Sequence, residues 1–321
     1  MKTNTLSIFI LMLSAIMFFN CKNEKKEPAE ETTTKVEEIV KDPSIVEIET
    51  KSMEFIGPDT IPSGWITIKY NNMSTEPHFV LVDVYPEGKT IDTIKTAVLP
   101  SFDKGMELIM EGKTDEAMAA FGGLPEWFPQ VVFAGGTGLV SPKLTGSTTL
   151  KLNPGKHFIE CYVKMPNGQF HTSMGMLKEI WVTDEDSSVQ PPDADVKISI
   201  SSTEGINYEG EIRPGKQVFE VYFKDQIVHE NFVGHDVNLV KLDENADLDA
   251  LESWMNWANP KGLMSASLPE GVTFLGGANN APTGVTQYFT ATLTPGKYAF
   301  ISEVPETRKK NMFKVFEVTI D

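Results

Sequence analysis

Apolar and polar residues begin to alternate at Ile45. Val46 and Ile48 alternate with Glu47 and Glu49, the period of two expected of a strand with one buried face. Trp65-Ile66-Thr67-Ile68-Lys69-Tyr70, rich in aromatic and β-branched residues, predicts a stronger strand. Residues 71–77 read as a loop, and His78 to Val84 as the next strand, with His78 at its first position. Pro77 fits there because no ladder donor is needed just before a strand. The period then changes. Met106, Ile109, Met110, Ala117, Ala120 and Phe121 predict a helix over 101–121, with Ser101 as its cap, Gly112 a weak point and Gly122-Gly123 its end. Beyond it come Val131-Val132-Phe133, a glycine turn at Gly135-Gly136 and a strand over 148–152. Pro154-Gly155 turns the chain into a strand over 158–163, Asn167-Gly168 makes another turn, and 177–182 forms a last strand.

The pattern then repeats. Leu152-Asn153-Pro154-Gly155-Lys156 matches Leu293-Thr294-Pro295-Gly296-Lys297, and Phe133-Ala134-Gly135-Gly136 matches Phe274-Leu275-Gly276-Gly277 at the same offset. A shorter helical stretch, 247–257, replaces 101–121, and His235 falls opposite His78. These matches predict two copies of one domain, at 45–184 and 196–321, joined by an acidic, proline-containing linker at 185–195. Short strands with one inserted helix predict an all-β architecture of two tandem Greek-key sandwiches.

Composition adds limits. The chain has 321 residues and a net charge of −17, and no basic stripe for nucleic-acid phosphates is visible. Residues 1–20 read as a signal peptide: Lys2, then an apolar run from Leu6 to Phe19, too short to span a bilayer comfortably. The segment ends at Asn20-Cys21 and resembles a bacterial lipoprotein signal, although Phe19 and Asn20 stand where small residues are usual. The resemblance implies lipidation of Cys21 and a membrane anchor in the cell envelope, on the periplasmic face or the outer surface. Lys22, Lys25 and Lys26 among acidic residues resemble, more weakly, a surface-export tract. Residues 21–44 lack large apolar side chains in number and read as a disordered tether. The chain has two cysteines, so lipid on Cys21 leaves Cys161 without a partner: a buried thiol, an intermolecular bridge or a metal ligand.

Cys161 to Met176, CYVKMPNGQFHTSMGM, gathers thiol, imidazole and thioether, the soft set that selects copper. NNMSTEPHFVLV resembles the cupredoxin segment in which an Asn-containing loop leads to a ligand histidine. PGKHFIECYV resembles the strand ending in the ligand cysteine, and HTSMGM has the His-x₄-Met spacing of plastocyanin-like proteins. The resemblance covers most of 45–184 and implies a type 1 copper site formed by His78, Cys161, His171 and Met176, with a redox or copper-transfer protein as partner. One departure puts this at stake. Nine residues separate Cys161 from His171, more than the family's usual loop, so the turn at Asn167-Gly168 either returns His171 as a small hairpin or leaves it remote. The alternative is a metal-free cupredoxin-fold binding or structural module.

In the second copy Ser302 replaces Cys161, Thr307 falls opposite His171 and Met312 matches Met176, so no thiolate is available. His235 reads there as a polar strand-end residue, and His157 and His229 as lone histidines. Trp127, Trp254 and Trp257 lie on or beside the helical insertions and read as core. The sequence has no trinuclear-copper motif, nucleophile elbow or phosphate loop, and the expectation is that the protein is not an enzyme.

Overall fold

The computed structural model describes residues 42–320, so the signal peptide, Cys21 and most of the tether lie outside the described residues. The first alternating run forms β1 (Ile45–Thr50), with Val46, Ile48 and Thr50 buried. The first half continues with β2 (Thr60–Asn72), β3 (His78–Val84), β4 (Val132–Val140), β5 (Thr145–Leu152), β6 (Gly155–Glu160) and β7 (Leu177–Asp186). One sheet pairs β1 parallel with β2 and β2 antiparallel with β5. The other runs β4-β3-β6-β7. The chain thus crosses to the first sheet in β5 and returns in β6 beside β3, a Greek-key crossover. The start of β2 pairs with β7 and the rest with β5, so this strand serves both sheets.

The second half supplies β8 (Val196–Ser201), β9 (Gly205–Glu209), β10 (Gly215–Phe223), β11 (Val237–Leu242), β12 (Val272–Ala278), β13 (Thr286–Leu293), β14 (Gly296–Ile301) and β15 (Phe313–Val318). The architecture is a pair of β-sandwiches, and both sheets cross between them. β5 pairs antiparallel with β13, and β4 with β12. One apolar cluster joins Ile66, Leu81 and Ile159 to Val240, Trp254 and Phe274.

The helical insertion differs from the single helix expected over 101–121. It comprises α1 (Ile91–Ala97), α2 (Leu99–Met110) and α3 (Thr114–Phe121). A capping box between Thr90 and Thr93 starts α1, and Pro100 suits the first turn of α2, where no internal donor is required. A one-turn helix, α4 (His171–Met174), precedes β7, and α5 (Leu248–Met255) lies in the second half.

The expected glycine turn at 135–136 is instead the interior of β4. Its pairing with β3 shifts between Val82 and Asp83 and again between His78 and Val80, two β-bulges. Gly136 has φ 143°, and a Cβ there would sit 1.9 Å from the Val80 carbonyl oxygen. Gly277 repeats this against Val237, at 2.0 Å. The repeated glycine pair therefore marks close strand approach rather than chain reversal.

Candidate metal centre

β3 begins at His78, and the antiparallel β6 ends one residue before Cys161, so both side chains emerge at the same end of one sheet. The long segment after Cys161 is a small hairpin. Met165 N–H donates to the Gln169 carbonyl at 2.7 Å and Gly168 N–H to the Met165 carbonyl at 2.8 Å. Lys164 and Phe170 form an antiparallel bridge. His171 N–H then donates to the Val163 carbonyl at 2.9 Å, which returns His171 to Cys161. Thr172 Oγ1 donates to the Cys161 carbonyl at 2.8 Å and ties α4 to the cysteine.

Three ligand-type atoms converge. His78 Nδ1 and His171 Nδ1 are 3.0 Å apart, and each lies 3.8 Å from Cys161 Sγ. All three residues are fully buried. Among the described residues, this is the group of three His, Cys, Asp or Glu side chains whose ligand atoms all fall within 4.8 Å of one another. The point equidistant from the three atoms lies about 2.1 Å from each; a small shift towards the nitrogens gives first-row metal bonds of roughly 2.0 Å to nitrogen and 2.2–2.3 Å to sulfur. The residues present therefore fit a metal ion.

Met176 is buried, with its N–H donating to the His171 carbonyl at 3.0 Å and its carbonyl accepting from Cys161 N–H at 3.3 Å. Gly175 between helix and strand has φ 129°, and a Cβ there would meet the Met53 carbonyl oxygen at 2.6 Å. That explains the Gly-Met pair. Met174, the other methionine of the segment, is exposed.

Electrostatics match a site that takes a cation. Burial pushes the His78 pKa down to about 3, helped by His171, and that of His171 down to about 4. Both rings are neutral at physiological pH, the form that binds metal. Burial pushes the Cys161 thiol up to about 12, so binding must release its proton. Without an ion, one Nδ1 must donate to the other. With both Nδ1 lone pairs directed at an ion, each ring carries its proton on Nε2. His171 Nε2 faces Glu76 Oε2 at 3.3 Å, an approach not aligned as a hydrogen bond, while His78 Nε2 is buried without a partner.

Glu76 is the residue that sequence reasoning missed. Its signal was a carboxylate two residues before a strand-leading histidine. The Asn-containing loop holds it: Asn72 Nδ2 donates to the Glu76 carbonyl and to the Val140 carbonyl, both at 2.8 Å.

Residues beside the three candidate ligands carry aromatic rings. Phe79 meets Tyr162 at 4.5 Å between centroids, Tyr162 meets Trp257 at 5.5 Å, and Phe170 stacks on Trp257 at 5.8 Å. Trp257 comes from the second half, and Trp254 is core. The second half repeats the backbone of the site with different side chains. Ser302 N–H donates to the Met312 carbonyl at 3.1 Å and Met312 N–H to the Thr307 carbonyl at 2.7 Å, as Cys161, Met176 and His171 do. Ser302 Oγ donates to Asp236 at 2.6 Å.

No family model matches the sequence, and no curated protein does. Solved structures similar to the chain include auracyanin from the photosynthetic bacterium Roseiflexus castenholzii, 19% identical over 44% of this chain and 97% of that one, with a TM-score of 0.24. They also include a copper nitrite reductase from Nitrosomonas europaea, 14% identical over 86% of this chain and 94% of that one, with a TM-score of 0.22. A multicopper oxidase is 14% identical over 86% and 88%, with a TM-score of 0.21. Scores this low carry no argument about chemistry. One expectation is corrected: a His–Cys–His group that could hold a metal is present among the described residues, and the similar structures include enzymes, so the statement that this protein is not an enzyme is withdrawn.

Proposed function

We propose that the chain binds one copper ion at His78, Cys161 and His171, with Met176 as the axial neighbour, and serves electron transfer or copper handling in the cell envelope. The convergence of two imidazole nitrogens and one sulfur, at 3.0, 3.8 and 3.8 Å in a buried pocket, carries this reading. Copper, when bound, would supply a one-electron couple, with the buried Met176 as a softer neighbour to the three donors. The protein's part is to hold the donors in place, keep both rings neutral and exclude water. The hairpin fixes His171, the β3–β6 pairing fixes His78 against Cys161, and Glu76 faces the outer nitrogen of His171. Lipid on Cys21 would tether the protein to a membrane, on the periplasmic face or the outer surface, where a redox or copper-transfer protein would meet it.

Cu(II) titration of the purified protein should produce intense absorption near about 600 nm, the thiolate band of a type 1 site, and Cys161→Ser should remove it. No band, together with free alkylation of Cys161 under Cu(II), would leave a metal-free binding module. Incorporation of a labelled fatty acid, lost in Cys21→Ser, tests the anchor; equal labelling of both proteins would refute it.

A further inference from the structure

The sequence holds five histidines. Two belong to the centre above, and His157 Nδ1 lies beside the Gly155 carbonyl. The other two, His229 and His235, meet. Their Nε2 atoms are 2.9 Å apart, with ring centroids at 5.1 Å. His235 is the counterpart of His78 in the second half, where cysteine is replaced, so this pair reuses one inherited ligand position with a new partner.

We propose that His229 and His235 form a second, open metal site that takes Cu(II) through the two Nε2 atoms. Three observations carry it. First, His235 is fixed for ligation. Its Nδ1 lies 3.2 Å from the Asp225 carbonyl and 3.6 Å from the Asp225 carboxylate, so Nδ1 holds the proton and the Nε2 lone pair faces His229. An imidazole with its other nitrogen held by a carbonyl or carboxylate is the usual outer arrangement of a metal-binding histidine. Gln226 clamps the same residue, its Oε1 accepting from His235 N–H at 2.5 Å and its Nε2 donating to the His235 carbonyl at 3.1 Å.

Second, the loop between the two histidines is held in a strained form. His229 N–H donates to the Val233 carbonyl at 2.7 Å, and Phe232 has φ 72°, a region that bulky residues avoid. Packing of Phe232 on Phe102 and Phe128 maintains it. Such strain persists where the surroundings over-determine a geometry.

Third, the spacing suits the metal. With metal–nitrogen bonds of about 2.0–2.1 Å, a 2.9 Å separation gives an angle of about 90° at the metal. That is the angle between neighbouring ligands in tetragonal Cu(II). His229 is only partly buried, so water or a small anion can complete the shell. Both rings have pKa values lowered chiefly by burial, so both are neutral at physiological pH. Of the charged groups acting on His229, Asp225 favours a cation and Lys310 opposes one.

The test uses the full chain carrying Cys161→Ser and His171→Gln, which removes two of the three donors of the first centre, whose imidazoles lie 3.0 Å apart, and leaves this one. Cu(II) added to that protein should bind at one per chain, with the paramagnetic resonance of tetragonal nitrogen and oxygen ligation and without the thiolate band near about 600 nm. Adding His229→Ala should weaken binding by more than the roughly 10–100-fold that loss of an outer-shell partner costs. His229→Gln, at the same partly buried position, guards against misfolding of the alanine variant. Equal Cu(II) binding with and without His229 overturns the proposal, as does a protein carrying Cys161→Ser and His171→Gln that binds none. Failure of the thiolate band in the wild type would sink the first centre and leave this one standing.

Discussion

At the scale of single residues, Glu76 and His157 separate metal chemistry from folding. Glu76 Oε2 lies 3.3 Å from His171 Nε2 and has no aligned hydrogen-bond partner. It can orient the ring without holding the fold. Glu76→Gln should lower copper affinity by about 10–100-fold, measured by chelator competition. Its unfolding free energy should stay within about 0.5 kcal/mol of wild type. His157 is buried on β6, and burial lowers its pKa. The unfolded chain, with a histidine pKa of about 6.5, then binds more protons than the folded one. The stability conferred by the neutral ring is complete above that value and lost as pH falls through the lowered one. The stability gap between wild type and His157→Gln in urea should therefore narrow from about pH 7 to about pH 5. A constant gap would mean that the ring protonates as freely in the folded state.

At the scale of elements, the bulged pairing of β3 with β4 decides where His78 points. Gly136→Ala places a methyl group 1.9 Å from a backbone oxygen, which no side-chain rotation relieves. A loss of about 2–4 kcal/mol in urea unfolding is expected, together with weaker copper binding. Gly155→Ala, at φ 129° with nothing within 4 Å, should cost only about 1–2 kcal/mol. Equal effects would show that strand approach is not the constraint. The same elements show what the sequence made legible. β3 was readable to the residue, because an apolar run follows a proline and a polar loop. The repeat was readable from Pro154-Gly155 and Pro295-Gly296. The role of Gly135-Gly136 was not, since a glycine pair signals a turn and a bulge alike until its neighbouring strand is known. Nor could spacing decide whether His171 returned to Cys161. That depended on a backbone bond to Val163 and a bridge from Lys164 to Phe170, neither of which leaves a mark in residue type. The expected single helix over 101–121 is broken where Gly112, the weak point in the spacing, takes φ 78° between α2 and α3, while Thr90 and Pro100 add helix starts upstream that the apolar spacing did not mark.

At the scale of the whole molecule, the two copies share what separate domains would own. Both sheets cross the boundary, and one apolar cluster draws on both halves. Splitting the chain within 187–195 would unpair β4 from β12 and β5 from β13 and divide the shared apolar cluster. The full protein should unfold in one urea transition seen alike by circular dichroism and absorbance, and each half alone should lack a cooperative transition. Two resolved transitions would mean that the halves are energetically independent. The contact made by Trp257 has an optical consequence. This indole belongs to the second half, yet it touches the rings of Tyr162 and Phe170, which flank Cys161 and His171 of the candidate centre in the first. A paramagnetic ion bound in one half would quench a fluorophore lent by the other, and the share of the five-tryptophan emission that Trp257→Phe removes would report both metal loading and the closeness of the two copies.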